Sequence, residues 1–235
     1  MANRLFYNPL GLLFMFLLAF LVFLAVGLLF MDVLRTAFTR IGFSWAQALI
    51  LLLASLIGSN VNIPLTTLKS DVPAVRDAYV RVFGVTYRVP IQDTLHNHTV
   101  LAVNFGGAVI PVLVSAYLLY LFPASIPFAL AGVAVVTVIS KIVSKPVKGV
   151  GIVAPALVSP LAAALTASAL TTFFGSPEPF IFIVAYVAGT LGTLIGADIL
   201  NLHRISGLGA PVASIGGAGT FDGVFLSGII AVLLV

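Results

Sequence analysis

Cysteine is absent from the 235 residues, and charge is scarce, with Asp, Glu, Lys and Arg together making up 8% of the chain. Without cysteine there is no disulfide, no thiolate nucleophile and no Cys-ligated metal, and the redox compartment stays undecided. A soluble domain carries about a quarter charged residues, so composition this poor in charge excludes one. No long polar stretch is present that would fold outside an apolar environment, and residues 1–235 read as a single domain. Apolar residues are abundant: 61% of the chain is hydrophobic and the mean hydropathy is +1.22. In lipid every backbone polar group must find its partner within the protein, which leaves helices as the solution for a chain of this kind. The expected fold class is therefore all-α, a polytopic transmembrane helix bundle whose first partner is the lipid bilayer.

The first apolar run, Leu10 to Met31, exceeds the roughly 7 to 15 residues of a signal-peptide core and is expected to be a retained span. A second run, Trp45 to Ile57, leads into Gly58-Ser-Asn-Val-Asn-Ile-Pro64, where Asn60, Asn62 and Pro64 should kink or end a helix. Residues 69–98 form the one extended polar stretch, and the β-branched and aromatic character of Val82 to Val89 around Gly84 predicts a small hairpin there. Further apolar runs cover Thr99 to Phe122, Ile126 to Ile139, Gly151 to Phe174, Phe180 to Leu200 and Pro211 to Val235, giving about seven spans. Ala162 to Ala169 is dominated by small residues that let helix backbones approach closely, which predicts a central position for the fifth span.

The net charge of +4 reports orientation rather than nucleic acid binding, because Lys and Arg gather at cytoplasmic loops. Counted on alternate sides of seven spans, Arg4, the four basic residues of 69–88, Lys141, Lys145, Lys148 and Arg204 face Arg35 and Arg40. The N-terminus is then expected in the cytoplasm, with the loop between the last two spans on the same side. The three lysines would also attract anionic headgroups, at roughly 1 kcal/mol each.

An ionisable group in the hydrocarbon costs at least about 2.5 to 3.5 kcal/mol on insertion scales, so Asp198 and Asp222 ask for a purpose. At ~1.5 Å per residue, Asp198 lies about 27 Å beyond Phe180, and Asp222 about 20 Å from Val235. The depths differ by about a helical turn, and unwinding at the Gly-rich approach to Asp222 can absorb that. Two carboxyls within about 3 to 4 Å share a proton and titrate as a unit, which suits general acid and base work.

Asp-bearing helices joined by a loop, with a Gly-rich lead into the second Asp, resemble the intramembrane aspartyl proteases of the presenilin and signal peptide peptidase type over residues 152–235. The resemblance implies Asp198 and Asp222 as the catalytic pair, a transmembrane peptide as substrate, no cofactor, and contributions to substrate binding from Gly219, Gly223, Pro155 and Leu157. Those enzymes carry Tyr-Asp and Gly-x-Gly-Asp, where this chain has Ala197-Asp198 and Gly219-Thr-Phe-Asp222, and their Pro-Ala-Leu element follows both acids, where Pro155-Ala-Leu157 precedes them. The chain as a whole resembles multi-spanning membrane proteins of prokaryotes, which implies the cell membrane as its location.

Other intramembrane chemistries lack their motifs: there is no His-Glu-x-x-His for a zinc protease and no Gly-x-Ser-x-Gly for a serine one. Gly149-Val-Gly-Ile-Val-Ala154 fits a loose dinucleotide fingerprint, but no strand precedes it. Asp93, His96 and His98 sit on a polar loop, and the expectation is solvation and no metal. The alternative is a secondary transporter or channel for an ion or small solute. In that reading Asn60, Asn62 and Asn104, at the interruptions of the second and third spans, supply donors and acceptors in place of lost backbone bonds. A scaffold that packs against partner membrane proteins is the third reading, and oligomeric state is not legible.

Overall fold

The computed structural model describes residues 9–69, 74–82, 85–93, 98–147, 151–207, 209–217 and 223–235. It is predominantly helical. Seven α-helices follow the apolar runs: α1 (Pro9–Arg40), α2 (Trp45–Gly58), α3 (Ile110–Leu121), α4 (Ile126–Val143), α5 (Val158–Phe173), α6 (Pro179–Thr193) and α7 (Gly223–Leu234). Among the described residues, three continuous helical stretches are long and apolar enough to cross a membrane, namely Gly11–Arg40, Pro123–Val143 and Pro179–Ile205. The other four apolar helices are shorter, from Trp45–Gly58, Phe105–Leu121, Val158–Phe173 and Gly223–Leu234. Helices of that length reach less than the roughly 30 Å of a hydrocarbon core unless their flanks contribute.

The missing lengths went into strands. Thr99 to Asn104, expected as the start of a span, lies in β4 (His98–Asn104), which pairs antiparallel with β1 (Asn62–Lys69) and parallel with β7 (Val212–Ile215) in a three-stranded sheet of order β1-β4-β7. The residues responsible are β-branched or aliphatic on both sides, Thr99-Val-Leu-Ala-Val103 against Ile63 and Thr66-Thr67-Leu68, and side chains of that shape fit a pleated surface. Pro64 stands on β1, an edge strand of this sheet, where the register shifts between Pro64 and Thr66; edges and bulges are the places a sheet tolerates proline. The hairpin expected within residues 69–98 is present as β2 (Ala74–Val82) paired with β3 (Val85–Asp93) in register Val82↔Val85. The fifth apolar run is likewise shortened, since Gly151–Val153 forms β6 and pairs with β5 (Lys145–Val147) before α5 begins.

The helices run between two ends. At one end the α1–α2 turn, the start of α4, the end of α5 and the end of α7 meet: Phe128 packs on Phe174 at 5.6 Å, and Arg40 Nη1 donates to the Val232 carbonyl at 3.1 Å. The sheet, the end of α2, the end of α4 and the segment after α6 gather at the other. α6, not α5, is the central helix. It packs against α3, α4, α5 and α7, and 72% of its most apolar stretch is buried, against 0% in α1. α5 buries one face of small residues, Ser159, Ala163, Ala164, Ala167 and Thr171, and leaves Leu161, Leu165 and Phe173 exposed. Small residues let α5 approach α6 closely without surrounding it, so the stripe marked contact on one side only. α1 joins the core through its last turns, with Leu34, Ala37 and Phe38 buried and Met31 packed against them, and its earlier turns expose large apolar side chains on every face, as a lipid-facing helix does.

Candidate functional site

Three interruptions of regular backbone converge at the sheet end of the bundle. The first is the exit of α2. Ser59 N donates to Ser55 O at 2.8 Å, the chain turns, and β1 begins at Asn62. The second is the entry to α3, where β4 ends at Asn104 and one π-helical turn, Phe105–Val109, precedes the α-helix, with Ile110 N bonding back five residues to Phe105 O. The third is the exit of α6, where Leu194–Asp198 forms a second π-turn, Ile199 N reaching Leu194 O, before a 3₁₀ segment, Ile199–Gly207. A π-turn inserts a residue into a helix and leaves carbonyls short of partners, and such turns gather at functional sites.

Asn104 joins the first two interruptions. Its side chain is fully buried; Nδ2 donates to Ser59 O at 2.6 Å and to Asn62 Oδ1 at 3.1 Å, while Oδ1 caps the π-turn by accepting from Gly107 N at 2.7 Å. Asn62 Oδ1 also accepts from Ser214 Oγ at 2.6 Å, which brings in β7. Two of the three predicted amides are thus brought together. Asn60 is not among them: its Nδ2 folds back onto the Leu56 and Ile57 carbonyls at the end of α2, at 3.2 and 3.3 Å.

β7 carries the network to the acid. Just beyond Ile215, Gly216 N donates to Asp198 Oδ2 at 2.8 Å, so the half-buried carboxylate on the second π-turn holds the strand exit. Gly216 is required on two counts. Its φ of +79° is the left-handed region that a side chain rarely adopts, and a Cβ there would overlap Ala108 on the first π-turn. The two π-turns therefore meet across this one residue. Behind Asp198, buried Asn201 donates to the Gly196 and Ala197 carbonyls at 3.2 and 2.9 Å, satisfying groups that the π-turn frees. Lys141 of α4 donates to the Leu200 carbonyl and to Asn201 Oδ1, so this lysine of the predicted basic edge serves as a helix terminator as well as a charge. A positive group at the carbonyl end of a helix is favoured by the dipole.

Of the proposed acid pair, Asp198 is described and Asp222 lies outside the described residues, as does Gly219. Gly223 is the exposed first residue of α7. Pro155 and Leu157 are exposed between β6 and α5, and β6 itself touches the Leu194–Asp198 turn. His96 also lies outside the described residues, and among those described no group of three or more His, Cys, Asp or Glu side chains is placed to hold a metal. Ser214, Gly216, Asn201 and Lys141 had no prior signal as site residues. A positive-φ requirement at Gly216-Gly217 was the readable trace, since two successive glycines after a short β-branched run mark a strand exit.

The family described as Protein of unknown function (DUF1614) matches residues 56–234, from the end of α2 to the last turn of α7, so the whole convergent site falls inside it and α1 falls outside. No curated protein and no solved structure matches the chain.

Proposed function

From a chain that belongs to the DUF1614 family, we propose a membrane-embedded aspartyl hydrolase in which Asp198 and Asp222 act as a pair on a peptide bond of a transmembrane segment. The observation that carries this reading is the 2.8 Å bond from Gly216 N to Asp198 Oδ2, because Gly216 opens the glycine-rich segment that reaches Asp222 six residues later. In this reading the first acid tethers the strand whose continuation leads in sequence to the second. With two carboxyls sharing one proton, the ionised one takes a proton from water while the protonated one polarises the scissile carbonyl, and the roles reverse when the tetrahedral intermediate collapses. The partial likeness to presenilin-type proteases supports the same pair, and the nearness of β6 to the Asp198 turn supports a role for the neighbouring Pro155-Ala-Leu157 in holding substrate. Location in the cell membrane, with the basic loops and the sheet end on the cytoplasmic side, belongs to this reading.

In proteoliposomes holding a fluorogenic transmembrane peptide, wild type should cleave, and Asp198→Asn and Asp222→Asn should each fall to background. Cleavage that survives both substitutions would sink the proposal.

A second reading, a carrier for an ion or small solute, draws on the joining of Asn62 and Asn104 at the ends of interrupted segments. It requires flux that falls when both are changed to Ala. Asn62 Oδ1 already accepts from Asn104 and Ser214, which leaves that oxygen little capacity to hold a cation and favours the hydrolytic reading over a cation carrier.

A further inference from the structure

Along the seam where α6 meets α7, hydroxyl groups replace apolar side chains at helical spacing: Tyr186, Thr190 and Thr193 on α6, with Ser227 facing them from α7. All are 5% exposed or less. Thr193 Oγ1 donates to Ser227 Oγ at 3.0 Å. Tyr186 Oη and Thr190 Oγ1 are buried and make no hydrogen bond of ordinary geometry to the described residues, although the two hydroxyls lie near enough to interact with each other. Both belong to one niche, because a Cβ on Gly228 would stand 3.2 Å from the Tyr186 ring and overlap Thr190 Oγ1. The remaining hydroxyl of this kind, Thr137 Oγ1, sits on α4 and is not part of the row.

The π-turn decides where the row leads. In an α-helix the residue above Thr193 would be Ala197, four positions on. Ile199 N is shared between the Ile195 and Leu194 carbonyls, four and five residues back, and the widened turn shifts Asp198, five positions on, toward the face that carries Thr193. Tyr186, Thr190, Thr193 and Asp198 therefore lie on one face of a single continuous helix.

We propose that Tyr186, Thr190, Thr193 and Ser227 form a water-holding row that runs from the bundle interior to Asp198 and keeps exchangeable water at that carboxylate. Buried polar groups are rarely left without partners, and a buried water makes about three hydrogen bonds to such groups. A threonine, a tyrosine and the Thr193–Ser227 pair along one seam supply that number. Water supply to a hydrolytic centre rests on the reading of Asp198 and Asp222 given above; occupancy of the row by water does not.

Two measurements on the full chain in lipid nanodiscs test occupancy without any cleavage assay. Hydroxyl radicals generated from water by X-ray pulses label only side chains in contact with water, so wild-type Tyr186 should be modified despite its burial. Thr190→Val should cut that modification severalfold, and Thr190→Ser should retain it. In parallel, Thr190→Val and Tyr186→Phe should each lower Tm by about 2–4 °C, the shift expected when about one bridged hydrogen bond is lost in a chain of this size. A dry row gives the opposite result, since removing an unpartnered buried hydroxyl relieves a cost: equal Tyr186 labelling in wild type and Thr190→Val, or an unchanged or raised Tm in either variant, would overturn the proposal. Loss of cleavage in Asp198→Asn with the row intact, or the reverse, separates its fate from that of the hydrolytic reading.

Discussion

Asn104 holds three neighbours at once, and no other side chain type of its size donates and accepts in the way that Ser59 O, Asn62 Oδ1 and Gly107 N require. Asn104→Ala should therefore cost about 1–3 kcal/mol for stranded buried groups, read by thermal unfolding in detergent. Asn60→Ala, whose amide is exposed and bonds only its own helix end, should stay within about 0.5 kcal/mol of wild type. A second residue-scale test is Gly216→Ala, which combines a left-handed φ that side chains rarely adopt with an overlap on Ala108; a loss of about 1–3 kcal/mol is expected from the backbone strain alone. Asn62 and Asn104 were legible because amides in apolar runs are conspicuous. Ser214 and Gly216 were not, because hydroxyls and glycines are common in such runs and only the bond of Ser214 to Asn62 and the approach of Gly216 to Asp198 and Ala108 give these two a role.

At the scale of elements, α1 is two helices in one. Its exit packs Phe38 against Phe43, Tyr186 and Phe225 at ring separations of 5.9 to 6.4 Å, while Phe23 is 77% exposed. Phe38→Ala should destabilise by about 3–5 kcal/mol, and Phe23→Ala, which faces lipid in the membrane reading, by far less; denaturation of the two variants side by side in nanodiscs checks the contrast. The seven apolar runs were readable as elements from hydropathy. Their starts were misplaced wherever a β-branched stretch led into a helix, at Thr99, Gly151 and Pro211, because a short apolar run has the same composition as a strand or as a buried helix. The strand won at Thr99 because β1 and β7 offered backbone partners, and β1 lies beyond a 28-residue polar stretch that no local pattern reaches across.

Across the whole molecule, helix directions alternate so that the sheet, β5–β6 and the segment after α6 share one end, and the α1–α2, α3–α4 and α5–α6 turns share the other. The absence of native cysteine makes this testable with single introduced cysteines and an impermeant thiol reagent. Cysteines at Lys145 and His203 should label from one side of sealed vesicles, and those at Phe43 and Ser176 from the other; labelling of all four from the same side would contradict a spanning bundle. Composition alone determined the broad outcome, because 61% hydrophobic residues and 8% charge leave a helical, membrane-compatible body as the way to satisfy the backbone. Tertiary structure alone decided that α6 is the centre, that two interrupted helices and a strand exit meet at one point, and that Asp198 faces Gly216. Those are consequences of hydrogen bonds between residues far apart in the chain and of a single inserted residue in a π-turn, and neither leaves a periodic trace in the sequence.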